Sequence, residues 1–187
     1  MPRKGLLFII VSVPVILAFC VLSFKLWVDG CIWFFCTPER NISVYELDIP
    51  DTFFPSNSTI NELLPLSEPM GAEEAINKTV YWGNQGIAVY NIRNYKSERR
   101  AVSLFNDLKN DASQLNPHEN VNYISQTSDD FFSGCGISQL SGYRCGAYIR
   151  YEGLIISFSV RPDGQITEKQ FNEIVQYIDK ELAQLYQ

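Results

Sequence analysis

Two cysteines sit in nearly matching glycine settings, Gly134-Cys135-Gly136 and Cys145-Gly146. A thiol can attack a substrate, hold a metal or bond to a second thiol, and spacing helps to separate these uses. Residues opposed in a hairpin have numbers of constant sum, so pairing 135 with 145 centres the turn on Leu140. A five-residue loop, Ser138 to Gly142, then sets Ile137 against Tyr143 and Cys135 against Cys145, at a Cα separation that a disulfide bridges. The flanking glycines suit a crowded bridge and a turn needing positive φ. A competing register turns on Ser141-Gly142, pairs Ser138 with Cys145 and leaves Cys135 without a partner. The first register is the expectation: a disulfide between Cys135 and Cys145.

The other thiol chemistries fit less well. Cys31 and Cys36 form a second bridge or stay free, and Cys31 in Val28-Asp29-Gly30-Cys31 faintly matches a lipidation site. A structural zinc would need Cys31, Cys36, Cys135 and Cys145 to converge, yet against the usual two to four residues the first gap, four, is marginal and the second, nine, is wrong. No metal is expected. A thiolate nucleophile needs a base, and the single histidine, His118, lies in the polar stretch "LNPHEN". An enzyme remains the alternative reading, with His118 gathered beside Asp129, Asp130 or a cysteine in one pocket. The chain carries no G-x-S-x-G nucleophile elbow, and "GCGISQ" lacks the third glycine of a dinucleotide fingerprint. Asp129-Asp130 and Glu73-Glu74 are neighbours in sequence whose side chains diverge on a strand, so solvation is expected. The basic cluster Arg93, Lys96, Arg99, Arg100 reads as a solvated helix entry. Asn41, Asn57 and Asn77 head glycosylation sequons. No catalytic residue and no cofactor are assigned.

These residues need elements to position them. "KTVYWGNQGIAVYNI" reads as two strands about Gly83-Asn84-Gln85-Gly86. Ala101, Leu104, Phe105, Leu108 and Ala112 recur at helical spacing, which predicts a helix over 98–112. "VNYISQ" suggests a further strand, and "GLIISFSV" is the clearest one. Thr167 with Gln170 forms a capping box, and Phe171, Ile174, Val175, Ile178, Leu182 and Leu185 make one apolar stripe. "YELDIPDTFFP" suggests a short edge strand before Pro50, followed by an ordered wrap rich in proline. Strands grouped between helices predict an α+β fold, an antiparallel sheet with helices packed on one face.

The N-terminus sets the surroundings. Leu6 to Phe24 is nineteen residues without a charge, roughly 28 Å as a helix, which suffices for a bilayer. Arg3 and Lys4 before it favour a cytoplasmic N-terminus; Lys25, Trp27 and Trp33 suit the far interface. A cleaved signal peptide is the rival, disfavoured by the long apolar run and the lack of a small-x-small site. The expected division is therefore a stub and transmembrane anchor over 1–28, a membrane-proximal collar and wrap over 29–77, and an extracytoplasmic α+β domain over 78–187. All 21 acidic residues lie at or after Asp29, whereas Arg3, Lys4 and Lys25 precede it. The outer part is thus more acidic than the whole chain at −6, which speaks against nucleic acid as a partner.

Together "YELDIPDTFFP", "VYWGNQGIAVY", "GCG…RCGAYIRYEGLIISF" and "FNEIVQYIDKEL" resemble an uncharacterised family of bacterial single-pass membrane proteins. The resemblance implies that the disulfide hairpin and the terminal helix are family features, and it brings no activity. At fold level the pattern is similar to small extracytoplasmic lipoproteins and PsbP-like accessory proteins. The function expected is a membrane-tethered, non-catalytic binding module, or else a subunit of a membrane complex. Leu140 at the hairpin apex, flanked by Gln139 and Tyr143, is the expected contact for a protein partner.

Overall fold

The computed structural model describes residues 13–24, 43–65, 71–112, 116–117, 123–138, 142–161 and 165–185. The chain divides into two compact units, Met1–Pro38 and Glu39–Gln187. In the first, residues 13–24 form a helix (α1) whose apolar side chains are all exposed. Among the described residues, no helix is long and apolar enough to cross a membrane. Residues 6–12 of the expected span, and the collar cysteines Cys31 and Cys36, lie outside the described residues.

The second unit is an α+β sheet structure. Its strands are β1 (Thr59–Pro65), β2 (Glu74–Trp82), β3 (Gly86–Asn94), β4 (Asn116–Pro117), β5 (Asp130–Ser138), β6 (Gly142–Tyr151) and β7 (Leu154–Arg161). They form one antiparallel sheet in the order β1-β2-β3-β7-β6-β5-β4. Helix α2 (Glu98–Asp111) follows β3, and α3 (Glu168–Leu185) follows β7. The expected hairpin forms with Trp82 opposite Gly86, and the α2 periodicity holds. The capping box is present: the Gln170 amide donates to Thr167 Oγ1 at 3.3 Å, and the Thr167 amide to Gln170 Oε1 at 2.8 Å. Of the α3 stripe, Phe171, Ile174, Val175, Ile178 and Leu182 are buried, while Leu185 at the frayed end is exposed.

The helices do not share a face, which corrects the expected arrangement. Leu154, Ile156, Phe158 and Val160 of β7 join Phe171, Ile174, Val175 and Ile178 of α3 in one core. Ile155, pointing the other way, joins Ala101 and Phe105 of α2, with Ala75 and Tyr95. The run Leu154-Ile155-Ile156 is apolar on consecutive residues because both faces are covered at that end of the sheet.

Two sequence-based strands are also corrected. The stretch before Pro50 is a 3₁₀ turn, Val44–Glu46, started by Ser43, whose Oγ accepts from the Tyr45 amide at 3.4 Å. Residues 123–126 are irregular: their backbone pairs with no strand, and the Tyr123 and Ser125 hydroxyls hold them to α3. The described part of the wrap, residues 43–65, packs against the sheet. Val44, Leu47, Ile49 and Phe54 are buried in the same core as the sheet, and β1 adds a strand to β2.

Candidate functional site

The hairpin β5–β6 pairs Cys135 with Cys145, Ile137 with Tyr143 and Ser138 with Gly142, which is the predicted register. Cys135 and Cys145 are disulfide-bonded, with Cα atoms 4.0 Å apart, and both are buried beside Ala147 and Val160. The bond occupies both sulfurs, so neither serves as thiolate or metal ligand while it stands. Since Ser138 and Gly142 are themselves paired, the loop between them is three residues and not five. Gly142 takes φ +71°, a left-handed conformation that glycine adopts without a Cβ clash. Gln139 and Leu140 of the expected contact lie outside the described residues, as does His118. Beyond the disulfide, Ile137 is 76% exposed and Tyr143 39%. The Tyr143 hydroxyl donates to Glu168 in the first turn of α3, which fixes one side of the tip to the helix below it.

Among the described residues of the second unit, three charged side chains are buried, and each ties distant segments together. Lys78 alternates with Ile76, Val80 and Trp82 on the face beneath α3, 3% exposed. Its ammonium donates to Asp48 Oδ1 at 2.9 Å, Asp51 Oδ1 at 3.0 Å and the Ile49 carbonyl at 2.7 Å. Three donors meet three acceptors, which offsets the desolvation of the charge. Tyr90 adds a hydrogen bond to the Leu47 carbonyl at 2.8 Å. Burial raises the Tyr90 phenol far above its usual range.

Arg150 gathers carboxylates on the opposite face. Its Nε donates to Asp130 Oδ2 at 2.6 Å; its Nη1 reaches the Glu152 carbonyl at 2.9 Å, Glu98 at 3.4 Å and Asp129 at 3.5 Å. Asp129 also accepts from the Glu152 amide at 2.6 Å, in the tight β6–β7 turn. Asp129 and Asp130, expected to be merely solvated, therefore converge on one guanidinium. Both pair with the same cation. In the basic cluster Arg93 stands half-buried on β3, while Lys96, Arg99 and Arg100 are exposed at the entry to α2.

Asp179 of α3 is 2% exposed. Its oxygens accept from Tyr123 at 2.5 Å, Ser125 and Tyr151 each at 2.9 Å, and Thr127 at 3.5 Å. A 2.7 Å contact joins the Thr127 and Tyr151 hydroxyls, and Ser125 Oγ caps the turn by accepting from the Thr127 and Ser128 amides. Burial first, then the hydrogen bond and charge of Asp179, raises the Tyr123 phenol; Tyr151 is pushed up to about 12, again chiefly by burial. The network ties residues 123–128 to α3 through Asp179. Sequence reading passed over all three charges, although two of them left a signal. Lys78 falls on core parity within an apolar alternation, and Asp179 lies four residues after Val175 inside the apolar stripe.

Among the described residues, no group of three or more histidine, cysteine, aspartate or glutamate side chains is arranged to hold a metal ion. Fold and site together define an α+β sheet protein with a disulfide-clamped hairpin and inward-turned charges. Compared with known proteins, the chain matches no family model, no curated protein and no solved structure.

Proposed function

We propose that this protein is a membrane-tethered, extracytoplasmic binding module without catalytic activity, akin to the single-pass family its sequence resembles. Residues 6–24 anchor it in the bilayer with the N-terminus cytoplasmic, and the second unit stands outside, where a disulfide persists. The observation that carries this reading is the pair of strand ends below the hairpin turn. The disulfide and the Tyr143–Glu168 hydrogen bond tie these ends of β5 and β6 to the fold, while Ile137 beside them keeps its side chain in solvent. A β-branched apolar residue exposed on a tethered strand end suits contact with a protein partner at little ordering cost.

A photo-crosslinking amino acid at position 137, and separately at 143, is expected to capture the same membrane-associated protein. The same probe at Tyr45, exposed but away from the hairpin in sequence, captures none of it. Equal capture from all three positions, or none from 137 and 143, overturns the proposal. For orientation, a Tyr45→Cys variant should react with a membrane-impermeant maleimide on intact cells; labelling only after lysis would place the second unit on the other side.

A further inference from the structure

Strand alternation sorts the second face of the sheet into rows. α2 covers the row that includes Ala75 and Ile155. At the other end of the same strands stands a row that α2 does not occupy: Tyr81 pairs with Ile87, Ile87 with Arg161, and Arg144 precedes Cys145 just as Arg161 follows its partner Val160. Tyr81 is exposed, and Ile87, Arg161 and Arg144 are half-exposed. Between the rows runs a chain of side-chain hydrogen bonds, Asn77 to Asn91 at 2.5 Å and Asn91 to Ser157 at 3.3 Å.

The two arginines are adjacent on neighbouring strands of a chain with net charge −6. Arg161 Nη2 donates to Gln85 Oε1 at 3.1 Å and borders the hairpin tip, since a Cβ on Gly142 would lie 3.7 Å from it. Arg144 lies on the same face of β6 as Gly146 and Tyr148, and its Nε is buried without an acceptor. A desolvated guanidinium donor lacking a partner is costly, and a carboxylate is its best acceptor.

We propose that this row binds an acidic, extended segment of the protein partner, its carboxylates on Arg161 and Arg144 and its apolar side chains on Tyr81 and Ile87. The proposal rests on the binding-module reading and adds the partner's chemistry to it. Tyr and Arg are the residue types in which binding hot spots are enriched. The aliphatic side chains of Ile87 and Val89 on the same face favour a peptide over an acidic sugar, which has nothing to bury there.

The full chain in nanodiscs, labelled with ¹⁵N, tests this by titration with an acetylated Glu-Val-Glu-Tyr-Glu-Val peptide. Its glutamine counterpart and oligogalacturonate serve as the comparisons. The glutamate peptide should shift the Arg144 and Arg161 signals and bind at least about tenfold more tightly than the glutamine peptide. Arg144→Gln and Arg161→Gln should each weaken it about tenfold, and Lys96→Gln should not. Equal binding of both peptides, unchanged affinity in both arginine variants, or binding of oligogalacturonate in place of the peptide overturns the proposal. Crosslinking at 137 that persists while the peptide leaves the row unshifted sinks the acidic segment alone; loss of crosslinking with peptide binding intact sinks the hairpin contact alone.

Discussion

Asp179 decides the path of residues 123–130, because the hydroxyls of Tyr123, Ser125, Thr127 and Tyr151 all turn to its two oxygens. Asp179→Ala strands these donors against the buried side of α3, with an expected loss of about 2–4 kcal/mol. Urea unfolding should show a lower midpoint at an unchanged slope. The same cluster sets an alkaline limit. Tyr151 titrates near 12 in the fold against the usual 10, so the folded state holds the phenolic proton more tightly than the unfolded chain. The stability this contributes is complete below pH 10 and is lost as pH rises through about 12. Selective ¹³C labelling of tyrosine should therefore show Tyr151 ionising together with loss of circular dichroism. Ionisation in a chain that stays folded would contradict the buried network.

At the scale of elements, the hairpin depends on its cross-link. The disulfide closes a short loop, its cysteines separated by 10 in sequence, worth about 2.5 kcal/mol in the chain-entropy account. Replacing both cysteines by alanine should lower stability by about that amount and speed amide exchange at Ile137 and Tyr143, while α3 keeps its protection. The register itself was readable, because two cysteines and a glycine-bearing turn leave few antiparallel alignments. The terminal helix was readable because its stripe and capping box agree. Other features depend on residues far apart in the chain. Arg150 meets Glu98 across 52 positions, and Asp179 meets Tyr123 across 56, so no local period reports either. The placement of α2 on the second face left its clearest trace in Ile155, one apolar residue between two others. A strand read for a single buried face assigns it no partner.

At the scale of the molecule, the wrap is part of the structure it surrounds. Val44, Leu47, Ile49 and Phe54 fill the core beneath α3, and Lys78 draws all three of its acceptors from 48–51. The second unit, Glu39–Gln187, is compact by its own contacts and contains both partners of the disulfide. A fragment 39–187 made in an oxidising compartment is expected to unfold cooperatively, with a midpoint close to that of the full chain. A fragment 78–187, which begins where the sequence suggested a domain boundary, should not. It loses β1, the start of β2 and five side chains of the main core, Val44, Leu47, Ile49, Phe54 and Ile76, and it strips Lys78 of all three acceptors. Since domains of this size are stable by only about 5–15 kcal/mol, the loss of five buried apolar side chains at about 1.5–3 kcal/mol each removes the fold. Lys78→Met in 78–187 does not restore that core, so it should recover little of the structure. Calorimetry of the three fragments decides the matter: a cooperative transition for 78–187 at the midpoint of 39–187 would show that the wrap merely lies on the sheet.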